Sequence, residues 1–228
     1  MAIKDIKFMN GEGYLLKDLS LSLSQYEEQM CQIEYDQFYD SYRAHRDEYG
    51  VEKTQFPSII FAFYNIVFSQ NKIPHPADLL SEYYAINSDE LLIDGDKVSY
   101  RGTSFNKMDL DARILRTYPS LVRDHHFFLM LTSKGWFDRV IYSCRNDISG
   151  KDVVIQHKSK EYIVSLFIQT KRSTFFKRIK NAFRHVYHNK EIPLPLDLDV
   201  APKCGDFFVY GENDCEYVKS IVFKKAKR

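Results

Sequence analysis

The chain has 228 residues, enough to bury one good core, or an α/β core with a small accessory domain. No window approaches the roughly 18 apolar residues needed to cross a bilayer, and the opening MAIKDIKFMNGEGYLL has no apolar stretch behind a basic head, so the expected setting is cytoplasmic, without membrane attachment. The net charge of +1 conceals two unlike parts, with 18 acidic and 10 basic side chains in residues 1–110 against 13 and 22 in 111–228; either the second part has an acidic partner, nucleic acid being the usual one, or the two attract each other.

In chain order, residues 24–50 (SQYEEQMCQIEYDQFYDSYRAHRDEYG) start at a Ser that can cap and finish at a Gly suited to a helix end, which predicts one long helix. Residues 58–70 (SIIFAFYNIVFSQ) are apolar almost all round and predict a buried helix. A short helix comes next in HPADLLSEYYA, with Pro76 in its first turn. LLIDGDKVSYRG places Asp94, Gly95 and Asp96 between two β-prone runs, the mark of a tight hairpin. Residues 1–110 therefore read as a mainly helical module with a short hairpin. It is either a winged-helix-like DNA reader or a helical cap packed on residues 111–228, and its acidic balance favours the cap.

From Thr117-Tyr118-Pro119 a helix is predicted to about Lys134, with Tyr118, Leu121, His125, Phe128 and Leu131 recurring at three and four and Gly135 as the stop. The runs FDRVIYS (137–143), DVVIQ (152–156) and EYIVSLFIQT (161–170) read as strands. A turn from Asn146-Asp147 to Ser149-Gly150 and another at Lys158-Ser159-Lys160 separate them. Residues 173–189 return to helical spacing through Phe176, Ile179, Phe183 and Val186. After the Pro-punctuated IPLPLDLDVAP, extended at its start, DFFVY (206–210) and EYVKSIVFK (216–224) read as two closing strands. The four cysteines, at 31, 144, 204 and 215, form no CxxC pair and have no His at finger spacing. They are expected to be reduced and mostly buried, without zinc or disulfide.

The candidate chemistry gathers at the ends of two predicted neighbouring strands. Side chains alternate along a strand, so Gln169 and Lys171 share a face, and an antiparallel neighbour can bring Asp152 beside them. An acid, an amide oxygen and a cation in one place suit phosphodiester hydrolysis, in which oxygens hold Mg²⁺ and an ammonium orients water. Asp152 followed about 17 residues later by Gln169-Thr170-Lys171 at a strand end, within an α-β-β-β-α-β order, resembles the PD-(D/E)XK, or restriction-endonuclease-like, nuclease superfamily. Gly150-Lys151-Asp152 stands where that family has Pro-Asp, and Gln169 stands where it has a second acid.

The resemblance covers roughly residues 117–213. It implies an α+β fold in which the helical module of residues 1–110 precedes a nuclease core in 111–228 with a mixed central sheet. It also implies Mg²⁺ or Mn²⁺ on Asp152 and Gln169, and Lys171 positioning the attacking water. A missing carboxylate would come from Asp124, Asp147 or Glu161. A helix-borne acid often completes such sites, which favours Asp124, with His125 as its neighbour. The implied activity is endonucleolytic cleavage of DNA rather than RNA, of the restriction or phage-defence kind, in a homodimer or with a partner protein.

Residues 171–190 carry seven Lys or Arg, two His and no acid, which points to phosphate contact. Arg172, Lys177, Lys180, Arg184 and His185 are the candidates for the nucleic-acid backbone, and Ser173, near the predicted helix start, is a phosphate ligand. The bland alternatives are a turn carboxylate at Asp152, a solvated strand end at Lys171 and a solubilising basic face. If no acid replaces the one lost at Gln169, the domain binds nucleic acid without cutting it, and a third reading has the charged halves serving assembly alone. No GxxxxGK[ST], GxGxxG, GxSxG or HExxH occurs, so phosphate-loop, dinucleotide, hydrolase-elbow and zincin chemistry lack support.

Overall fold

A computed structural model of the chain describes residues 21–46, 48–148, 150–169 and 191–226. The expected long N-terminal helix is broken into α1 (Leu23–Cys31), α2 (Tyr35–Asp40), a 3₁₀ turn (Arg43–His45) and α3 (Tyr49–Lys53). The reason lies in the buried positions: Tyr26 and Met30 keep helical spacing, but Ile33, Tyr35 and Tyr39 come next. The two-residue step from Ile33 to Tyr35 cannot stay on one face of a continuous helix. Ser22 and Gln25 form a capping box at the head of α1. The two apolar helices form as expected, α4 (Ile60–Gln70) and α5 (Pro76–Ile86). The expected hairpin gains a third strand, giving the antiparallel sheet β1 (Leu91–Asp94), β2 (Lys97–Tyr100) and β3 (Thr103–Asn106).

Helix α6 runs from Lys107 to Ser133, ten residues longer at its start than Pro119 suggests, and so it spans the expected domain boundary at 110. Asn106 caps it by accepting the Met108 amide (2.8 Å). Pro119 sits inside it, where it has no N–H for the carbonyl four residues back. That carbonyl, of Leu115, instead accepts the Tyr35 hydroxyl (3.0 Å), so a side chain from α2 supplies the bond the proline cannot. Further anchors tie α6 to the N-terminal segment: Tyr26 donates to the Val122 carbonyl (3.2 Å) and Tyr118 to the Pro74 carbonyl (2.6 Å). Asp111, buried, takes the Tyr84 hydroxyl and the Lys107 ammonium, each at 2.7 Å. One hydrophobic cluster runs from Tyr26 through α6 to Val222.

Beyond α6 come β4 (Arg139–Ile141), a short helix α7 (Cys144–Ile148) where a turn was expected, β5 (Val153–His157), β6 (Lys160–Ile168) and β7 (Glu191–Leu196). They form one mixed sheet in the order β4-β5-β6-β7, with two antiparallel pairings and then a parallel one between β6 and β7. Lys158 and Ser159, both at positive φ (51° and 61°), make a two-residue hairpin turn of the kind that matches strand twist. The extended start expected for the Pro-punctuated run is β7, an edge of the sheet among the described residues, and the strand's two prolines, Pro193 and Pro195, are exposed on it. Only an edge tolerates residues that cannot donate to a ladder.

The expected closing strands are corrected. Residues 206–210 contribute only β9 (Phe207–Phe208), paired with β8 (Lys203–Cys204), and 216–224 lie in helix α8 (Glu212–Ala226). In α8 the buried Cys215, Val218 and Val222 recur at three and four, a helical stripe that the β-branched composition masks. Val153, Ile155, Tyr162, Val164, Leu166, Ile192, Leu194 and Leu196 place one face of the mixed sheet in the same core as α6 and α8. The molecule is thus a mixed α+β protein, and no described helix is long and apolar enough to cross a membrane.

At the β8–β9 turn Gly205 has φ +57°, and a Cβ there would stand 2.7 Å from the Met30 carbonyl oxygen and 3.0 Å from Cys31 Cα. Gly205→Ala is therefore expected to destabilise the fold by about 2 kcal/mol or more, combining a left-handed backbone with a backbone clash. In a thermal melt this corresponds to a Tm lower by roughly 4–8 °C; an unchanged Tm would show that α1 and β8 separate at little cost.

Candidate functional site

Asp152 stands immediately before β5. Its Oδ2 accepts the backbone N–H of Leu166 (2.7 Å), which fixes the carboxylate against β6. The register Val153↔Val164, continued by one step, sets Asp152 across from Ser165. The Ser165 hydroxyl donates to Glu191 Oε1 at the head of β7 (2.6 Å), so a second carboxylate is bonded to the residue across from Asp152. Neither Glu191 nor Ser165 was singled out by the sequence. The lone hydroxyl in the apolar run YIVSLFI was the available signal for Ser165, whereas Glu191 has none without the parallel pairing of β6 and β7.

Gln169 shares the strand parity of Ser165 and therefore the face of Asp152. It lies four residues further on, however, about 13 Å along the strand at the usual rise. It is exposed, and its backbone N–H extends the parallel ladder by donating to the Leu196 carbonyl (2.8 Å). The tight two-residue turn at 158–159 sets this offset. Lys171, Arg172, Ser173, Lys177, Lys180, Arg184 and His185, with the helix predicted over 173–189, lie outside the described residues.

Asp124, on α6, is largely buried (18 % exposed) and pairs with Arg123, Nε to Oδ1 at 3.5 Å. Burial pushes its carboxyl above the ordinary carboxylate range, against the opposing pull of Arg123. Nearby, the Tyr210 hydroxyl donates to the Leu194 carbonyl (3.2 Å). Burial raises that phenol first, then the charge of Asp124, with a smaller contribution from Asp152, while Arg123 opposes. Both aspartates thus bear on one phenol at the β6–β7 end of the sheet. The other carboxylates considered are engaged elsewhere: Asp147 accepts from the Tyr64 hydroxyl (3.5 Å), and Glu161 faces Lys151 (3.6 Å).

His125 and His126 are both buried. His126 Nε2 lies 3.0 Å from Glu27 Oε1. Burial pulls its pKa below the ordinary value while Glu27 pulls it back up. His125 stacks on Tyr142 (ring centres 5.2 Å apart, 7° between planes) and meets Tyr26 edge-on at 4.9 Å. Neither of its ring nitrogens has a hydrogen-bond partner among the described residues. It packs as an aromatic ring among the core rings of Tyr26, Phe128 and Tyr142.

Among the described residues no cluster of three or more His, Cys, Asp or Glu is gathered as a metal site. The donors for a hard cation are the two carboxylates, Asp152 and Asp124. The Oδ1 of Asp124 already faces a cation, the Arg123 guanidinium. Mg²⁺ commonly binds through one or two carboxylates and keeps several waters. No protein-family model, curated protein or solved structure matches the chain.

Proposed function

We propose that the chain is a metal-dependent nuclease that hydrolyses phosphodiester bonds in DNA, with a restriction-endonuclease-like core and Asp152 at its centre. The observation that supports it best is the strand order behind α6. Three strands pair antiparallel and a fourth pairs parallel to the third, and an aspartate heads the second of them. An α-β-β-β order in a mixed sheet supports the order that the resemblance implies. Asp152 and Asp124 would hold Mg²⁺ or Mn²⁺, whereas Gln169, held about 13 Å along the strand from Asp152 by its N–H to Leu196, is not a donor to the same ion. When bound, such an ion supplies Lewis-acid polarisation of the phosphoryl group and an acidified water. Lys171 would orient that water, and the basic run from Lys171 to Lys190, with Arg172, Ser173, Lys177, Lys180, Arg184 and His185, would hold the phosphate backbone. Cutting both strands calls for two such sites, hence a homodimer.

One observation favours a second reading, a nucleic-acid-binding subunit that does not cut. The Asp152 carboxylate already caps the Leu166 amide, a role that needs no metal. Incubating the purified chain with plasmid, single-stranded DNA and RNA in Mg²⁺, Mn²⁺ or chelator separates the two. The nuclease reading expects DNA breaks that require the metal. Intact strands with a mobility shift that weakens steeply with salt identify the binder, and intact strands without a shift sink both.

A further inference from the structure

We propose that Cys31 and Cys204 are a redox modification site: exposed to a peroxide, they join in a reversible intramolecular disulfide that clamps the end of α1 to β8. The two sulfurs lie 3.6 Å apart although 173 positions separate them in sequence. Cys31 is the exposed last residue of α1, and Cys204 is half-buried on β8 with its S–H directed to the Glu27 carbonyl (3.5 Å). The other two thiols, Cys144 and Cys215, are buried.

The approach is built by backbone and not by chance side-chain placement. Gly205 lets β8 come so near that a Cβ would stand 2.7 Å from the Met30 carbonyl oxygen, and the Asp36 N–H donates to Asp206 Oδ2 (2.9 Å) on the far side of the same turn. A disulfide needs its sulfurs about 2.05 Å apart. Closing from 3.6 Å is within reach of side-chain rotation, whereas separated backbones would forbid it.

The step balances with hydrogen peroxide as the two-electron oxidant. The exposed Cys31 thiolate attacks one peroxide oxygen, the O–O bond breaks, and hydroxide leaves to give the sulfenic acid. Cys204 then attacks the Cys31 sulfur, the S–O bond breaks and water departs. Overall two thiols and one peroxide become one disulfide and two waters. Burial, with Cys31 alongside, holds the Cys204 thiol above its ordinary range, so the exposed Cys31 is the thiol that meets peroxide first. The segment clamped is the one whose Glu27 carboxylate reaches His126, two residues from Asp124 on α6.

The test is mild peroxide treatment of the full chain, alkylation of the remaining thiols and peptide mass spectrometry. The expected product links the Cys31 and Cys204 peptides with the loss of two hydrogens, leaves Cys144 and Cys215 as thiols, and reverts with dithiothreitol. Because the link closes most of the chain into one loop, Tm should rise by roughly 5 °C or more. Cys31→Ser should remove the product, and Cys204→Ser should leave a Cys31 sulfenic acid that dimedone traps. Peroxide that instead drives Cys31 to sulfinic acid, or to a dimer between chains, while Cys204 stays alkylatable would overturn the assignment.

Discussion

Asp152→Asn is expected to lower metal-dependent DNA cleavage by about 1,000-fold while leaving the fold nearly as stable as before. Losing the charged ligand removes several kcal/mol of metal-assisted stabilisation, and each 1.36 kcal/mol is a factor of ten in rate. The asparagine oxygen can still accept the Leu166 N–H that Asp152 Oδ2 accepts at 2.7 Å, so the structural loss is only the charged part of that bond, about 1 kcal/mol. Asp152→Ala removes both roles: activity falls as far, and the unmet Leu166 amide costs roughly 1–3 kcal/mol, lowering Tm by a further few degrees. The pair of variants therefore separates chemistry from capping. Cleavage that survives in the asparagine variant and fails only in the alanine variant assigns Asp152 to the fold alone and ends its place in the site. Initial rates under excess substrate, with parallel thermal melts, decide it.

How far the fold was legible depends on which local signals the core respected. Strands β5 and β6 were readable because their boundaries are set by a two-residue turn, and the apolar helices α4 and α5 because nothing in them contradicts burial. Pro119 hid the first ten residues of α6, since no local rule shows that Tyr35 will reach the orphaned Leu115 carbonyl from 80 positions away. In α8 the β-branched Val218, Ile221 and Val222 suggested a strand, yet Cys215, Val218 and Val222 had helical spacing, and spacing proved the stronger guide. Pro193 and Pro195 let β7 be read only as the extended start of a connector, because an edge strand accepts them and a connector does too. At the candidate site, Asp152 was visible as a carboxylate at a strand start and Asp124 as one on a helix, but what they share was not. Tyr210, on which both bear, lies 58 and 86 residues beyond them in the chain, and the four-residue offset of Gln169 comes from turn length and hairpin register, not from residue type.

His125→Phe should change the pH dependence of stability more than stability itself. The folded imidazole, desolvated among Tyr26, Phe128 and Tyr142 with His126 adding repulsion, titrates at about 3, against an ordinary value of 6.5. Between those values the unfolded chain carries a proton at His125 that the folded chain does not. Stability from this group is thus complete above pH 6.5 and is lost as pH falls toward 3. The slope is about 1.4 kcal/mol per pH unit, so the loss at pH 4.5 amounts to about 3 kcal/mol. Asp124 acts with the opposite sign, because its raised carboxyl makes the folded state bind the extra proton, which adds stability as pH falls. The two partly cancel in the natural chain and hide each other. Phenylalanine removes the histidine contribution, keeps an aromatic ring in the stack and leaves Asp124 unopposed. Near pH 7.5 the relief of two unpartnered nitrogens is set against the larger ring, so the two proteins should lie within about 1–2 kcal/mol. At pH 4.5 the variant should have gained about 3 kcal/mol relative to the natural chain. Urea midpoints at pH 7.5, 6.0 and 4.5 measure the divergence; parallel curves would mean that the folded chain protonates His125 as readily as the unfolded one, and that the aromatic cage does not exclude the charge.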